Sequence, residues 1–327
     1  MLLPVHEFLK PATLEEGLVA LQSAAGEVKL IGGGTDVVFN MRGRLFQPDV
    51  LLSVKDLPEL QIVEELDDGS IRMGAGCRLT DLERHPLIER FPGLVAGFRV
   101  VASRHIRNMA TLGGNLCLDT RCWYTNQSAD WRAAKGPCLK TGVEVCFAIK
   151  SSPICVALNA SDTAPALIAA DAVVSLASAD GERSVPLAEF YTEDGVAHTV
   201  RRADEIMTSV TVPNISAPTA YIKETARKGN DFAYGTIGAR GPTPETGHSS
   251  GTRLVLGSLT TRPAILERPA NIIDEQGLND AAIDAAVAAT RDELGALTNL
   301  YTPAAYKSQL ARSLVRRALT QLRGQVQ

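Results

Sequence analysis

The sequence lacks most of the signals that would fix a reaction at sight. It has no C-x-x-C pair, which excludes a zinc ribbon and a bacterial ferredoxin run. Its histidines (His6, His85, His105, His198 and His248) form no H-E-x-x-H pair. There is no Gly-Lys-Ser/Thr phosphate loop and no G-x-G-x-x-G fingerprint. Surplus charge is small: 33 Lys and Arg against 37 Asp and Glu leave −4, so no polyanion partner is advertised. Long apolar runs are missing too, since the longest, residues 164–179, is broken by Asp171 and is too short to span a bilayer. Residues 1–7 carry no basic segment leading into an apolar core. The expectation is therefore a chain without a signal peptide, in the cytoplasm.

What remains is ordinary globular material. Hydrophobic residues make up 45% and charged residues 21%, which excludes disorder as the main state. At roughly 100 to 200 residues per domain, the length gives two or three domains.

The cysteines are few but crowded. Of Cys77, Cys117, Cys122, Cys138, Cys146 and Cys155, all but the first lie between 117 and 155. A cytosolic chain keeps its thiols reduced, so disulfides are a poor explanation. Around these cysteines periodicity fades, and the stretch holds both tryptophans (Trp123, Trp131) and Tyr124. It reads as a compact loop held by something other than a hydrophobic layer. Four thiolates on an irregular loop suit a tetrahedral site, and both Zn²⁺ and a [4Fe–4S] cube accept Cys₄. Spacing alone does not separate them, nor does it exclude buried, unligated cysteines.

The rest of the chain reads as alternating helix and strand. Thr13-Leu-Glu-Glu16 is a capping-box pattern before Leu14, Leu18 and Leu21, with Gly26 ending that helix. A strand at 28–31 runs into Gly32-Gly33-Gly34-Thr35-Asp36, then a helix at 37–41 and a strand at 49–54. A strand at 71–74 precedes Thr80-Asp-Leu-Glu83, a second capping box, opening a helix with Leu82, Leu87, Ile88 and Phe91. Residues 93–103 are expected to be helical. Beyond the cysteines come a helix at 164–170 and strands at 172–176 and 206–212. Strands at 221–227, 235–240 and 253–258 follow, with the polar connection 241–251 read as a hairpin loop. The tail is helical at 279–293 and again after Thr302-Pro303, with Tyr306, Leu310, Leu314, Ala318 and Leu322 at four-residue spacing.

Two loops invite a ligand. Glycines without Cβ atoms let backbone N–H groups approach a pyrophosphate, and Gly32–Asp36 sits between a strand and a helix. Ala110-Thr-Leu-Gly-Gly-Asn115 repeats that chemistry with a hydroxyl, two glycines and an amide. Either loop alone is equally a tight structural turn. Together they could hold opposite sides of one dinucleotide. Asp162 and Lys223 are single residues that spacing does not distinguish from salt-bridged surface groups.

With their neighbours, these loops resemble the flavin subunit of the molybdenum hydroxylases, the xanthine dehydrogenase and carbon monoxide dehydrogenase family. The resemblance runs through Lys29–Asp36, Arg107–Asn115, Asn159-Ala-Ser-Asp162, Glu205-Ile-Met207 with Pro213, Tyr221-Ile-Lys223 and the Tyr306 helix. It implies an α+β fold: a two-subdomain FAD-binding domain of the vanillyl-alcohol-oxidase (PCMH) type, then a C-terminal α+β domain of the CO dehydrogenase flavoprotein type. The implied boundaries are 1–57 and 58–217 for the two subdomains and 218–327 for the last domain. As FAD contacts it implies Lys29, Leu30, Ile31, Gly32, Gly33, Gly34, Thr35, Asp36 and Val37 from the first loop. The second loop would give Thr111, Gly113, Gly114 and Asn115, with side-chain contacts from Thr35, Thr111 and Asn115. Asp162, Lys223, Val101 and Met207 would lie against the flavin.

The departure from the family lies at 116–156, where ordinary members run almost directly from Gly-Gly-Asn to Ala-Ser-Asp. The insertion resembles that of one family branch, whose flavin subunit carries an extra [4Fe–4S] cluster and whose complex reductively removes a phenolic hydroxyl. By that resemblance Cys122, Cys138, Cys146 and Cys155 are the cluster ligands, Cys117 competes for the first position, and Trp123, Tyr124 and Trp131 shield the cluster. The implied partners are a molybdopterin-containing large subunit, a [2Fe–2S] small subunit and reduced ferredoxin as donor. The alternatives are a flavin subunit of another molybdenum hydroxylase (xanthine, CO or aldehyde type) and a zinc-stapled scaffold whose glycine loops hold nothing.

Overall fold

The computed structural model describes residues 2–227, 229–243, 251–295 and 302–326. Three sheets follow one another along the chain. The first is parallel and three-stranded, in the order β1-β3-β2 (β1, Glu7–Leu9; β2, Val28–Ile31; β3, Val50–Ser53). Helices Leu14–Ser23 and Val37–Arg42 make the two crossovers that parallel strands require. β3 is central and every one of its residues is buried, as befits a strand covered on both faces. Thr13 caps the first helix by accepting from the Glu16 amide, as the capping-box pattern predicts.

The second sheet is antiparallel, ordered β4-β5-β8-β6-β7 (β4, Val63–Glu65; β5, Ile71–Gly74; β6, Val173–Ser178; β7, Gly181–Pro186; β8, Ile206–Val212). Strand β8 occupies the middle and pairs with strands from both sides of the cysteine-rich insertion. The Thr80 capping box does not form. Thr80 lies inside the short helix Leu79–Leu82, with Arg78 at the N-cap. The helix expected through Phe91 is split into Leu79–Leu82 and Pro86–Glu89, and the helical stretch expected at 93–103 is Pro92–Arg99, followed by Arg104–Arg107. Pro86 and Pro92 lack an N–H and each restarts a helix at its first position, while Ala102, in the left-handed region at φ 43°, turns the chain before Ser103 caps the last.

The third sheet is antiparallel, in the order β12-β11-β10-β9 (β9, Thr219–Glu224; β10, Gly235–Arg240; β11, Arg253–Gly257; β12, Ala264–Ile265). Helix Ala304–Val326 lays Leu310, Leu314, Ala318 and Leu322 against Ile237, Ala239, Leu254 and Leu256. Tyr306 leaves this stripe and stands 43% exposed, edge-on to Tyr234. Helices Glu267–Gln276 and Asp280–Glu293 complete the same core, the latter capped by Asn279. The hairpin connection expected at 241–251 lies largely outside the described residues. Among the described residues no helix is long and apolar enough to cross a membrane.

The second and third sheets are locked together by backbone-to-backbone contact. A Cβ on Gly238 in β10 would collide with the Pro165 carbonyl at the start of helix Ala164–Ala169. The Gly93 amide, opening helix Pro92–Arg99, donates to Thr219 Oγ1 at 3.0 Å. Gly238→Ala is therefore expected to cost about 1–3 kcal/mol, because neither backbone can yield without separating the layers. Gly324, in the terminal helix, meets nothing within 4 Å. Gly324→Ala should leave stability unchanged or raise it slightly. Denaturant unfolding of the two variants checks the contrast.

Candidate functional site

The two glycine loops touch. Strand β2 ends at Ile31, and a Cβ on Gly33 would run into the carbonyl of Met109, while one on Gly32 would meet the Thr111 hydroxyl. Gly34, at φ 73°, turns the chain away into helix Val37–Arg42. Among the described residues the amides of Gly33, Gly34 and Thr35 find no acceptor. Three donors at the mouth of a glycine turn fit the oxygens of a pyrophosphate.

The side chains expected to reach a cofactor are partly committed elsewhere. Thr111 Oγ1 caps its own short helix, Leu112–Leu116, by accepting from Gly114 N at 3.1 Å. Asn115 is buried, and its Oδ1 accepts from Ser161 Oγ (2.8 Å), Thr163 Oγ1 (2.7 Å) and Thr163 N (3.2 Å). It binds the 159–163 segment to the second loop, a structural duty that the residue type alone does not reveal. Thr35 is exposed beside the free amides. Lys29 does not reach into the loop: its Nζ stands 4.0 Å over the Phe46 ring, and burial pushes its pKa down. Leu30, Ile31 and Val37 pack into the apolar clusters on either side of β3.

Asp36 would repel a phosphate if left bare. It is neutralised by Arg121, from the start of the insertion, whose guanidinium pairs with its Oδ1, while Asn40 Nδ2 donates to Oδ2 at 3.0 Å. Burial lowers the Arg121 pKa to about 10, and its guanidinium lies 5.0 Å from the Phe232 ring centroid. Sequence reading missed this pair, because 85 residues separate its members and no local pattern marks it.

A second node joins the C-terminal domain to the second part of the chain. Lys223 Nζ in β9 donates to Asp162 Oδ2 at 2.8 Å and to the Val100 carbonyl at 3.2 Å. Burial raises the Asp162 pKa and the Lys223 charge opposes that rise. Val101 adjoins this node and is buried. Met207 is buried inside β8, opposite Leu176, in the same core as Val101.

The insertion is mostly irregular, with one helix, Ala129–Lys135, and a single 3₁₀ turn at Leu139–Thr141. Cys122, Cys138, Cys146 and Cys155 all line one small cavity, together with Tyr124, Phe147 and Lys140. Cys117 does not line it, and Cys77 lines a different cavity beside His85. Among the described residues no three His, Cys, Asp or Glu side chains close on a single point as ligands of one ion. The thiols instead stand around the cavity wall. Burial raises the Cys122 thiol and pushes that of Cys155 up to about 11. Thr125 Oγ1 and Thr141 Oγ1 each lie 3.8 Å from Cys138 Sγ, and the Ile149 amide points at Cys146 Sγ at 3.4 Å. Tyr124 lies 5.4 Å from Phe147 and 6.4 Å from Trp131 between ring centroids. Trp123 turns outward, 39% exposed, whereas Phe147 lines the cavity.

Comparison with known proteins agrees with this arrangement. Residues 4–215 match the family described as the FAD binding domain in molybdopterin dehydrogenase, and residues 220–322 match the CO dehydrogenase flavoprotein C-terminal domain. The chain is 24% identical over 322 residues to the carbon monoxide dehydrogenase medium chain of Hydrogenophaga pseudoflava, covering 98% of this chain and 97% of that one. It is 29% identical over 332 residues to the aldehyde oxidoreductase FAD-binding subunit PaoB of Escherichia coli (strain K12), covering 96% of each. Its fold matches a chain of quinoline 2-oxidoreductase from Pseudomonas putida 86 with a TM-score of 0.79 at 19% identity, over 99% of both. With both domains matched in order along nearly its whole length, the chain belongs to the FAD-binding subunits of the molybdenum hydroxylase family.

Proposed function

We propose that this chain is the FAD- and [4Fe–4S]-bearing electron-transfer subunit of a 4-hydroxybenzoyl-CoA reductase. The observation that carries the reading is the single cavity lined by Cys122, Cys138, Cys146 and Cys155. These residues come from four separate points of the irregular 116–156 stretch. Four thiols on one cavity are the donor set of a [4Fe–4S] cube, which takes one thiolate at each corner. Names such as "medium chain" and "FAD-binding subunit" support partners elsewhere in a complex. The proposed partners are a molybdopterin-containing large subunit and a [2Fe–2S] small subunit.

When bound, FAD would couple one- and two-electron transfer, and a [4Fe–4S] cube would exchange electrons singly, which matches a one-electron donor such as ferredoxin. The overall chemistry consumes two electrons and two protons: the ring C–O bond of 4-hydroxybenzoyl-CoA breaks, and benzoyl-CoA and water leave. None of that bond chemistry falls to this chain. Its residues hold cofactors in a fixed order. The amides of Gly33, Gly34 and Thr35 would face the pyrophosphate, and Arg121 cancels the charge of Asp36 beside them. Asp162 and Lys223, paired and buried, would present polar groups to the flavin from two domains at once. Cys122 and Cys155, whose pKa values burial raises, would each give up a proton on ligating iron.

Cys138→Ser is expected to lower iron from about four per chain to well under one, to abolish turnover driven by reduced ferredoxin, and to leave FAD bound. Loss of flavin with unchanged iron would count against the assignment. Asn115→Ala should do the converse. It strands the buried hydroxyls of Ser161 and Thr163 at a cost of about 1–3 kcal/mol, so flavin occupancy should fall while iron stays.

A further inference from the structure

Lys140 is tied down more tightly than any surface lysine needs to be. Its Nζ donates to Asp119 Oδ1 at 2.7 Å, to Thr120 Oγ1 at 2.6 Å and to the Gly195 carbonyl at 2.7 Å, which gives every ammonium N–H an acceptor. The side chain is 10% exposed and lines the same cavity as the four cysteines. One of its anchors, Gly195, touches the cavity-lining Cys155. The Gly195 amide donates to the Cys155 carbonyl at 2.8 Å, and a Cβ at Gly195 would stand 3.0 Å from Cys155 Sγ.

Behind Lys140 the charge is lopsided. Asp119 lies among Lys140, Lys29 and Arg201, with Glu27 also acting on Lys29. His198 Nδ1 lies 3.9 Å from Asp119, and burial lowers its pKa. Lys29 belongs to β2, the strand that opens into the first glycine loop. A positively weighted group of charges thus runs from β2, beside the first glycine loop, to the cysteine cavity.

A tetrathiolate cluster is an anion that gains another negative charge on reduction. A cation fixed in its wall, where water screens little, favours the reduced form, and an anion nearby disfavours it. We infer that Lys140 and Asp119 together set the reduction potential of a cluster held in the four-cysteine cavity, Lys140 raising it and Asp119 lowering it. This rests on the iron–sulfur reading given above. The bland reading of the same geometry is a strap: Lys140 joins residues 119–120, the insertion and the 194–195 turn, and its charge matters only for folding.

The two readings differ in sign. The test is a redox titration of the anaerobically purified holoprotein, read by electron paramagnetic resonance of the reduced cluster, alongside iron and sulfide analysis. Lys140→Met should lower the midpoint, changing the oxidised-to-reduced ratio about tenfold at fixed potential, which is about 59 mV for one electron. Lys140→Arg should restore a near-wild-type midpoint. Asp119→Asn keeps an acceptor for Lys140 and removes the negative charge, so its midpoint should rise. Midpoints that do not move, or that fall in both Lys140→Met and Asp119→Asn, with iron retained, overturn the inference and leave the strap. Should Lys140→Met lose its iron, the direction of the Asp119→Asn shift decides. Wild-type protein without iron and sulfide would overturn the iron–sulfur reading, and this inference with it.

Discussion

The closeness of two backbones governs this molecule. Gly33 lies so near the Met109 carbonyl that no side chain fits between them, and that contact seats the end of β2 against the 111–115 turn. Everything of functional interest leaves from this junction. The free amides of the first loop face outward from it, and the insertion emerges immediately after Asn115. The 159–163 segment that closes the insertion is bound back onto Asn115 Oδ1. A loop that starts and ends on the same buried amide must stand beside the cofactor loops, whatever it contains.

The insertion itself is ordered by polar straps rather than by a hydrophobic layer. Arg121 pairs with Asp36, and Arg132 Nη2 donates to the carbonyls of Gly43 (2.8 Å) and Arg44 (2.9 Å) at the end of helix Val37–Arg42. Lys140 reaches back to Asp119 and across to Gly195. Each strap runs from the insertion to the flavin-binding scaffold, so the cavity's position relative to the glycine loops is fixed by charge-assisted bonds. The same bonds place cations beside the first glycine loop and in the wall of the four-cysteine cavity. Order and electrostatics are two consequences of one set of side chains.

Much of this was legible in the residues. Regular strands with apolar alternation or continuous burial, such as Val28–Ile31, Ile71–Gly74 and Ile206–Val212, coincide with the expected spans. The α+β architecture with its two domain types agrees with the family resemblance. Strand β7 was missed because its Glu182, Arg183 and Ser184 give an edge strand no apolar face to betray it. The helix expected through Phe91 is broken because its apolar spacing continues across Pro86, which interrupts the backbone. In the site, glycines and cysteines were visible because their chemistry is carried by residue type. Arg121, Asp119 and Lys140 were not, because a charged residue acquires its meaning only from a partner that folding brings close.

The central claim is that the insertion holds iron and sulfide while the glycine loops hold FAD. Iron, acid-labile sulfide, zinc and FAD per chain, measured on anaerobically purified protein, test it most directly. The account predicts about four irons, about four sulfides and about one FAD, with no stoichiometric zinc. One zinc without flavin would contradict it outright, and FAD without iron would keep the family while removing the electron port.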